Sequence, residues 1–192
     1  MIVRKNRLTV VISLLLIGGF VSIAAPLHAE PNLSADVVSN YLDRLLGVNE
    51  TFQKQDSLRV LVVHGQSDDS EYAEQLRETL LGRDYRVTLV SNVDLSRENI
   101  LRSDLLVNVG DRIDTKLDQV LVEQGVLSFT TKSGLVEKGY HSVGMVPPET
   151  SGTESIRGAG GSKPKLVYNL DRLKREGHSF PSSVMVMGKV YK

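Results

Sequence analysis

Leu58-Arg-Val-Leu-Val-Val63, followed by the polar stretch His64-Gly-Gln-Ser-Asp-Asp-Ser70 and an amphipathic run, admits few folds. Five of the six leading residues are apolar and three are valine. A short run that is apolar on both faces, entering a helix through a polar loop, is how the first strand of an open α/β sheet reads. The loop then lies at the carboxyl edge of the sheet, where such sheets bind ligands. Leu58–Val63 is expected to be the most buried strand of the fold.

The segments that follow repeat the unit. Ser70 to Leu81 is a predicted helix with Tyr72, Leu76, Leu80 and Leu81 on one face, stopped by Gly82. Tyr85–Val90 alternates as a strand, a helical turn spans Ser96–Leu101, and Asp104–Val109 is a third strand ending at Gly110-Asp111. Ile113 to Glu123 is helical with Gly125 as terminator, and Val126–Phe129 is a fourth, short strand. Strict alternation of strand and helix predicts parallel strands joined by right-handed crossovers. Upstream, Ser34–Leu46 places Val37, Val38, Tyr41, Leu42, Leu45 and Leu46 at helical spacing before Gly47.

The last third departs from this rhythm. After a turn at Leu135–Lys138, Tyr140–Val146 reads as a strand that pairs with Lys165–Tyr168 across a loop, 147–163, rich in Gly, Pro, Ser and Thr. Nothing in that loop can bury a core, so it is expected to be mobile. Asn169 to Glu176 is a predicted helix stopped by Gly177, and Ser182 is placed to cap a final apolar helix, Ser183 to Tyr191. The expected fold is therefore α/β: a single three-layer domain with a mainly parallel, Rossmann-like sheet and an antiparallel C-terminal strand pair.

The first 29 residues stand apart. Arg4, Lys5 and Arg7 precede an apolar run from Leu8 to Ala25, and Pro26-Leu-His-Ala29 ends in a small residue. This is the pattern of a secretory signal peptide, so residues 30–192 form the expected mature domain of an exported chain. The alternative is a retained anchor, since a span needs about 20 apolar residues; Pro26 and the polar residues after Ala29 favour cleavage, which leaves no stable membrane span. The mature chain then carries 20 basic and 23 acidic residues, a formal charge of −3. A weakly acidic exported chain is a poor partner for nucleic acid. The absence of cysteine excludes disulfides, thiolate nucleophiles and cysteine-ligated metals.

Catalytic chemistry finds little support. The loop His64–Ser70 has one glycine, lacks G-x-G-x-x-G and the P-loop lysine, and sets Asp68 and Asp69 where a phosphate would sit. It reads as a helix cap. His64, Asp68, Asp69, Asp111 and Asp114 offer metal-ligand types near one sheet edge, but such carboxylates are also ordinary caps. No G-x-S-x-G elbow occurs, and Ser67, Ser70 and Ser133 have no signature tying them to a histidine. His141 and His178 read as surface histidines. No catalytic residue, cofactor or metal is expected. Met185 and Met187, with Val184, Val186 and Val190, make the last segment apolar nearly all round, suited to the core or to a partner or dimer surface.

One resemblance bears on function. The run Leu127 to Val146, with Gly134-Leu135, Glu137, Gly139 and Tyr140, and the run Pro164 to Ser183, with Asn169-Leu170, Gly177 and Ser182-Ser183, resemble the YfiR-like family of exported bacterial proteins. The resemblance covers Leu127–Lys192. It implies a non-enzymatic periplasmic protein that represses an inner-membrane diguanylate cyclase by contact with its periplasmic sensor region. A homodimer is a further partner it suggests. On this reading the partner or ligand surface would include Gly134, Glu137, Gly139, Tyr140, Asn169, Met185 and Met187. The alternative is a small-molecule binding module, because Arg59 to Gly110 also looks like half of a periplasmic solute-binding protein.

Overall fold

The computed structural model describes residues 33–53, 57–65, 67–147 and 163–192. The expected signal peptide and nearly all of the expected mobile loop lie outside the described residues. No helix among those residues is long and apolar enough to cross a membrane.

Seven strands form one sheet: β1 (Arg59–His64), β2 (Arg86–Ser91), β3 (Leu105–Asn108), β4 (Leu127–Thr130), β5 (Val143–Val146), β6 (Lys165–Asn169) and β7 (Lys189–Tyr191). Their order is β2-β1-β3-β4-β5-β6-β7. The first five run parallel, β6 is antiparallel to β5, and β7 is parallel to β6. The α/β architecture and the antiparallel pair are as the sequence predicts. β3 and β4 are buried at every residue, whereas β1 begins at the exposed Arg59. Expected to be the most buried strand, β1 yields that place because it sits one strand in from the β2 edge.

Helices cover both faces. α1 (Ala35–Val48) and α2 (Ser67–Leu81) pack over Val60, Val62, Leu105, Val107 and Phe129. α3 (Arg97–Leu101) and α4 (Thr115–Gln124) cover Leu61, Val63 and Leu106 through Ile100, Val120 and Leu121. α1 belongs to the core itself: Val38, Leu42 and Leu45 are buried against Ala73, Leu76 and Leu80. Each such side chain contributes about 1.5–3 kcal/mol relative to exposure. Asp43 of α1 fixes the crossing by accepting from Arg83 and from the Tyr85 hydroxyl at 2.7 Å.

The C-terminal third is completed by α5 (Ser133–Glu137), α6 (Leu170–Arg175) and α7 (Ser182–Met185). Here the structure corrects the predicted final helix. α7 is a four-residue turn, and the chain then extends as β7 along the edge of β6. Gly188 makes the docking feasible, since a Cβ there would stand 2.4 Å from the Leu166 carbonyl oxygen. An apolar run rich in valine satisfies a strand as well as a buried helix, and the free edge of β6 decides between them. Met187 and Val186 are 74% and 80% exposed, so they are not core.

Candidate functional site

The strand order reverses between β1 and β3, so the crevice of such a sheet lies where His64–Gly65 faces Asn108–Asp111. In this chain the two loops press together. A Cβ on Gly110 would lie 2.3 Å from the Gly65 nitrogen, which means backbone stands against backbone. Asn108 ties the second loop down: its Oδ1 accepts from the Gly110 N–H at 3.0 Å and its Nδ2 donates to the Asp111 carbonyl at 2.7 Å. The Lys132 ammonium stands 3.2 Å from Asp111 and 3.7 Å from Asp69, and Asp114 caps α4 by accepting from the Lys116 N–H. Asp69, Asp111 and Asp114 are thus engaged with an ammonium or a helix end. Among the described residues no three metal-ligand side chains converge.

Behind β4 lies a polar seam that the sequence reading missed. Glu176, 1% exposed, accepts from the Ser128 N–H and from the Ser128 hydroxyl at 2.6 Å, from the Ser142 hydroxyl at 2.6 Å, and from Arg172 Nε at 2.5 Å. Arg172, equally buried, spans to α4 and holds Asp118 with two parallel bonds of 2.8 and 2.9 Å. Burial pushes the Glu176 carboxyl up, against the pull of Arg172 and the two hydroxyls. Four donors and no acceptor proton to spare suit the ionised form. This is a structural network, buried at Arg172 and Glu176 and reaching solvent only at Asp118 among these side chains.

His141 and His178, read as surface residues, are buried. Asn108 Nδ2 donates to His141 Nε2 at 3.0 Å, so the proton sits on Nδ1, which has no partner among the described residues. His178 donates from Nε2 to the Gly125 carbonyl at 2.9 Å, and burial lowers its pKa. The His141 pKa is pushed down to about 3, first by burial and second by Arg172. Between its ordinary value of 6.5 and that value, the unfolded chain binds the proton that the folded chain refuses. Stability therefore falls as pH drops through this window, by about 1.4 kcal/mol per unit. Urea titrations are expected to give about 2 kcal/mol less stability at pH 5 than at pH 7 from this ring. His141→Gln should remove most of that slope, and an unchanged slope would contradict the assignment.

Of the residues singled out from the sequence, Gly139 and Asn169 stand together, a Cβ on Gly139 lying 3.6 Å from Asn169 Nδ2. Asn169 is buried and structural, accepting from the Arg172 N–H and donating to the Val136 carbonyl. Gly139, at φ +74°, makes the turn out of α5. Tyr140 is half-buried beneath Arg112, whose guanidinium carbon lies 3.9 Å from the ring centre and whose Nη1 donates to the hydroxyl. Gly134 and Glu137 lie on α5, with open space beside Gly134. Met185 is half-buried against the core. It also lines a cavity of about 360 Å³ beside α6, whereas Met187 lines a larger one.

That cavity is a groove of about 610 Å³, within the range of small-molecule sites. Its walls are Tyr41, Leu45 and Val48 of α1, Pro164 and Leu166 at the entry to β6, and Val184 and Met187. Arg44, Lys163 and Lys165 complete the lining. The Tyr41 hydroxyl donates to the Pro164 carbonyl at 2.8 Å, pinning α1 to the β6 entry. A neighbouring cavity of about 360 Å³, lined by Val37, Asn40, Tyr41, Arg44, Lys163 and Pro164, continues along α1. From Val37 to Val48 the helix rises roughly 16 Å.

Comparison with known proteins bears on the architecture. No family model and no curated protein matches the chain. Among solved structures, it is similar to a conserved domain protein from Vibrio cholerae, with 13% identity and a TM-score of 0.55 over 81% of this chain and 60% of that one. It is similar also to an ABC domain in complex with L-Trp from Streptococcus pneumonia, with 12% identity and a TM-score of 0.54 over 82% of this chain and 60% of that one. The likeness is one of fold. The chain spans about 60% of the length of each of these structures.

Proposed function

We propose that the protein is a non-catalytic, exported binding module that holds its ligand in the groove between α1 and the entry to β6. One observation carries this reading. Among the described residues that line it are apolar side chains and three cations, with no carboxylate, imidazole or aliphatic hydroxyl. The one hydroxyl among them, on Tyr41, is bonded to Pro164. Such a lining can bind and orient a ligand but offers neither a nucleophile with a base nor an acid–base pair. The closed crevice between β1 and β3 supports the same choice of site. The ABC domain that shares the fold is in complex with L-Trp, a small molecule, which accords with a binding module. Export rests on the N-terminal sequence pattern. A regulatory role toward a membrane diguanylate cyclase rests on the YfiR-like resemblance alone.

The test is a thermal-shift panel of amino acids including L-Trp, nucleobases, sugars and fatty acids. A ligand at a hundred times its Kd adds about 2.7 kcal/mol of stability. At least one compound is expected to raise the Tm of the native protein. The same compound should have little effect on Val48→Phe, which fills the groove from the last residue of α1. A panel without a hit, or a hit that acts equally on both proteins, would overturn the proposal.

A further inference from the structure

We infer that the ligand of this groove is a single-chain fatty carboxylate, its head held by Arg44, Lys163 and Lys165 and its tail laid along α1. The inference rests on the groove being the binding site. The two cavities share Tyr41, Arg44, Lys163 and Pro164, which puts cations at their junction and leaves the larger, apolar one along α1 for a tail. The apolar wall of Leu45, Val48, Leu166, Val184 and Met187 offers favourable contact to methylene groups, each of which favours burial by about 0.8 kcal/mol.

The head is specified by charge. Arg44, Lys163 and Lys165 form no ion pair among the described residues. The nearest acid on the same helix, Asp43, is held by Arg83 and Tyr85. Screening over about 8 Å at physiological salt lets this local excess decide the sign that the groove attracts, whatever the formal net charge of the whole chain. Lysine and arginine stems line an apolar wall while their heads stay in water, so the cations stand where the head of an inserted chain would emerge. Arginine matches a carboxylate with two parallel donors, and lysine adds a point charge. An amino acid would bring its own ammonium against three cations, and a neutral amphiphile would leave them unused.

Calorimetric titration of the full chain with laurate, dodecanol and butyrate separates these contributions. Laurate is expected to bind roughly tenfold more tightly than dodecanol, and butyrate not measurably. The double substitution of the exposed Lys163→Gln and Lys165→Gln should weaken laurate about tenfold and weaken dodecanol several-fold less than that. Raising the salt concentration should act in the same direction as the double substitution. Equal affinity for laurate and dodecanol, or indifference of laurate to the double substitution, would overturn the carboxylate inference and leave the groove as a binding site. If neither laurate nor dodecanol binds while another compound of the panel depends on Val48, the inference fails and the site stands. If no compound depends on Val48, both fail.

Discussion

Arg172→Met is expected to cost about 3–5 kcal/mol, which for a domain of this size lowers the Tm by roughly 10 °C. The guanidinium is 1% exposed and joins two acids, Glu176 on its own side and Asp118 on α4. Removing it leaves Glu176 without its countercharge in a site that no water reaches. The remaining donors, Ser128 and Ser142, are neutral, and neutral hydrogen bonds do not offset the desolvation of an ion. A second substitution makes the cause visible. In Arg172→Met with Glu176→Leu, both buried charges are gone, and the two serine hydroxyls still have each other at 3.2 Å and the Ser128 carbonyl at 2.8 Å. Chemical unfolding followed by circular dichroism should show the double variant recovering part of the loss. A single variant that loses less than about 1 kcal/mol would show that the network is worth no more than a surface pair.

Gly110→Ala is expected to destabilise by about 3 kcal/mol, the upper end of what overpacking costs. All three atoms that its Cβ would meet within 2.9 Å are backbone atoms of His64 and Gly65, so no side chain can swing aside. Relief requires the β1 and β3 loops to part, which also strains the bonds of Asn108 to Gly110 and Asp111. Gly47→Ala is the internal control. Nothing lies within 4 Å of its Cβ position, and it sits inside α1. There the substitution should add about 0.5 kcal/mol or more, through helix propensity and a less flexible unfolded chain. Equal effects at the two glycines would contradict the close approach of the loops.

The contrast between those two glycines is one that no sequence pattern reveals, and it shows what was legible. Apolar runs such as Leu58–Val63 and Asp104–Val109 identified the parallel strands because a strand buried on both faces has few other ways to be written. The antiparallel return of Lys165–Tyr168 onto the strand ending at Val146 was legible because two strand-like runs flank a loop rich in Gly, Pro, Ser and Thr. The polar seam was not. Arg172 stands in the basic run Arg172-Leu-Lys-Arg175, which reads as a solvated face, and only the docking of α6 against β4 and α4 buries it. Ser128 and Thr130 mark one face of β4 as polar, but two residues in a four-residue strand are too few to signal a network. Tyr41 and Pro164 are 123 positions apart, so the groove has no local signature. Met187 was marked by its chemistry, and the structure places it on the groove wall. Asn169 and Gly139 were marked too, and their roles are a helix cap and a turn.

The groove is tested most directly by a methyl spectrum of the full chain labelled with [13C-methyl]methionine and titrated with laurate. The methionines supply their own controls: Met187 lines the groove, Met185 packs against the core, and Met145 is fully buried in β5. The Met187 resonance should shift and saturate while Met145 and Met185 stay in place. A spectrum in which Met187 does not move although calorimetry shows laurate bound, or in which the buried methyls move with it, would contradict the groove as the binding site.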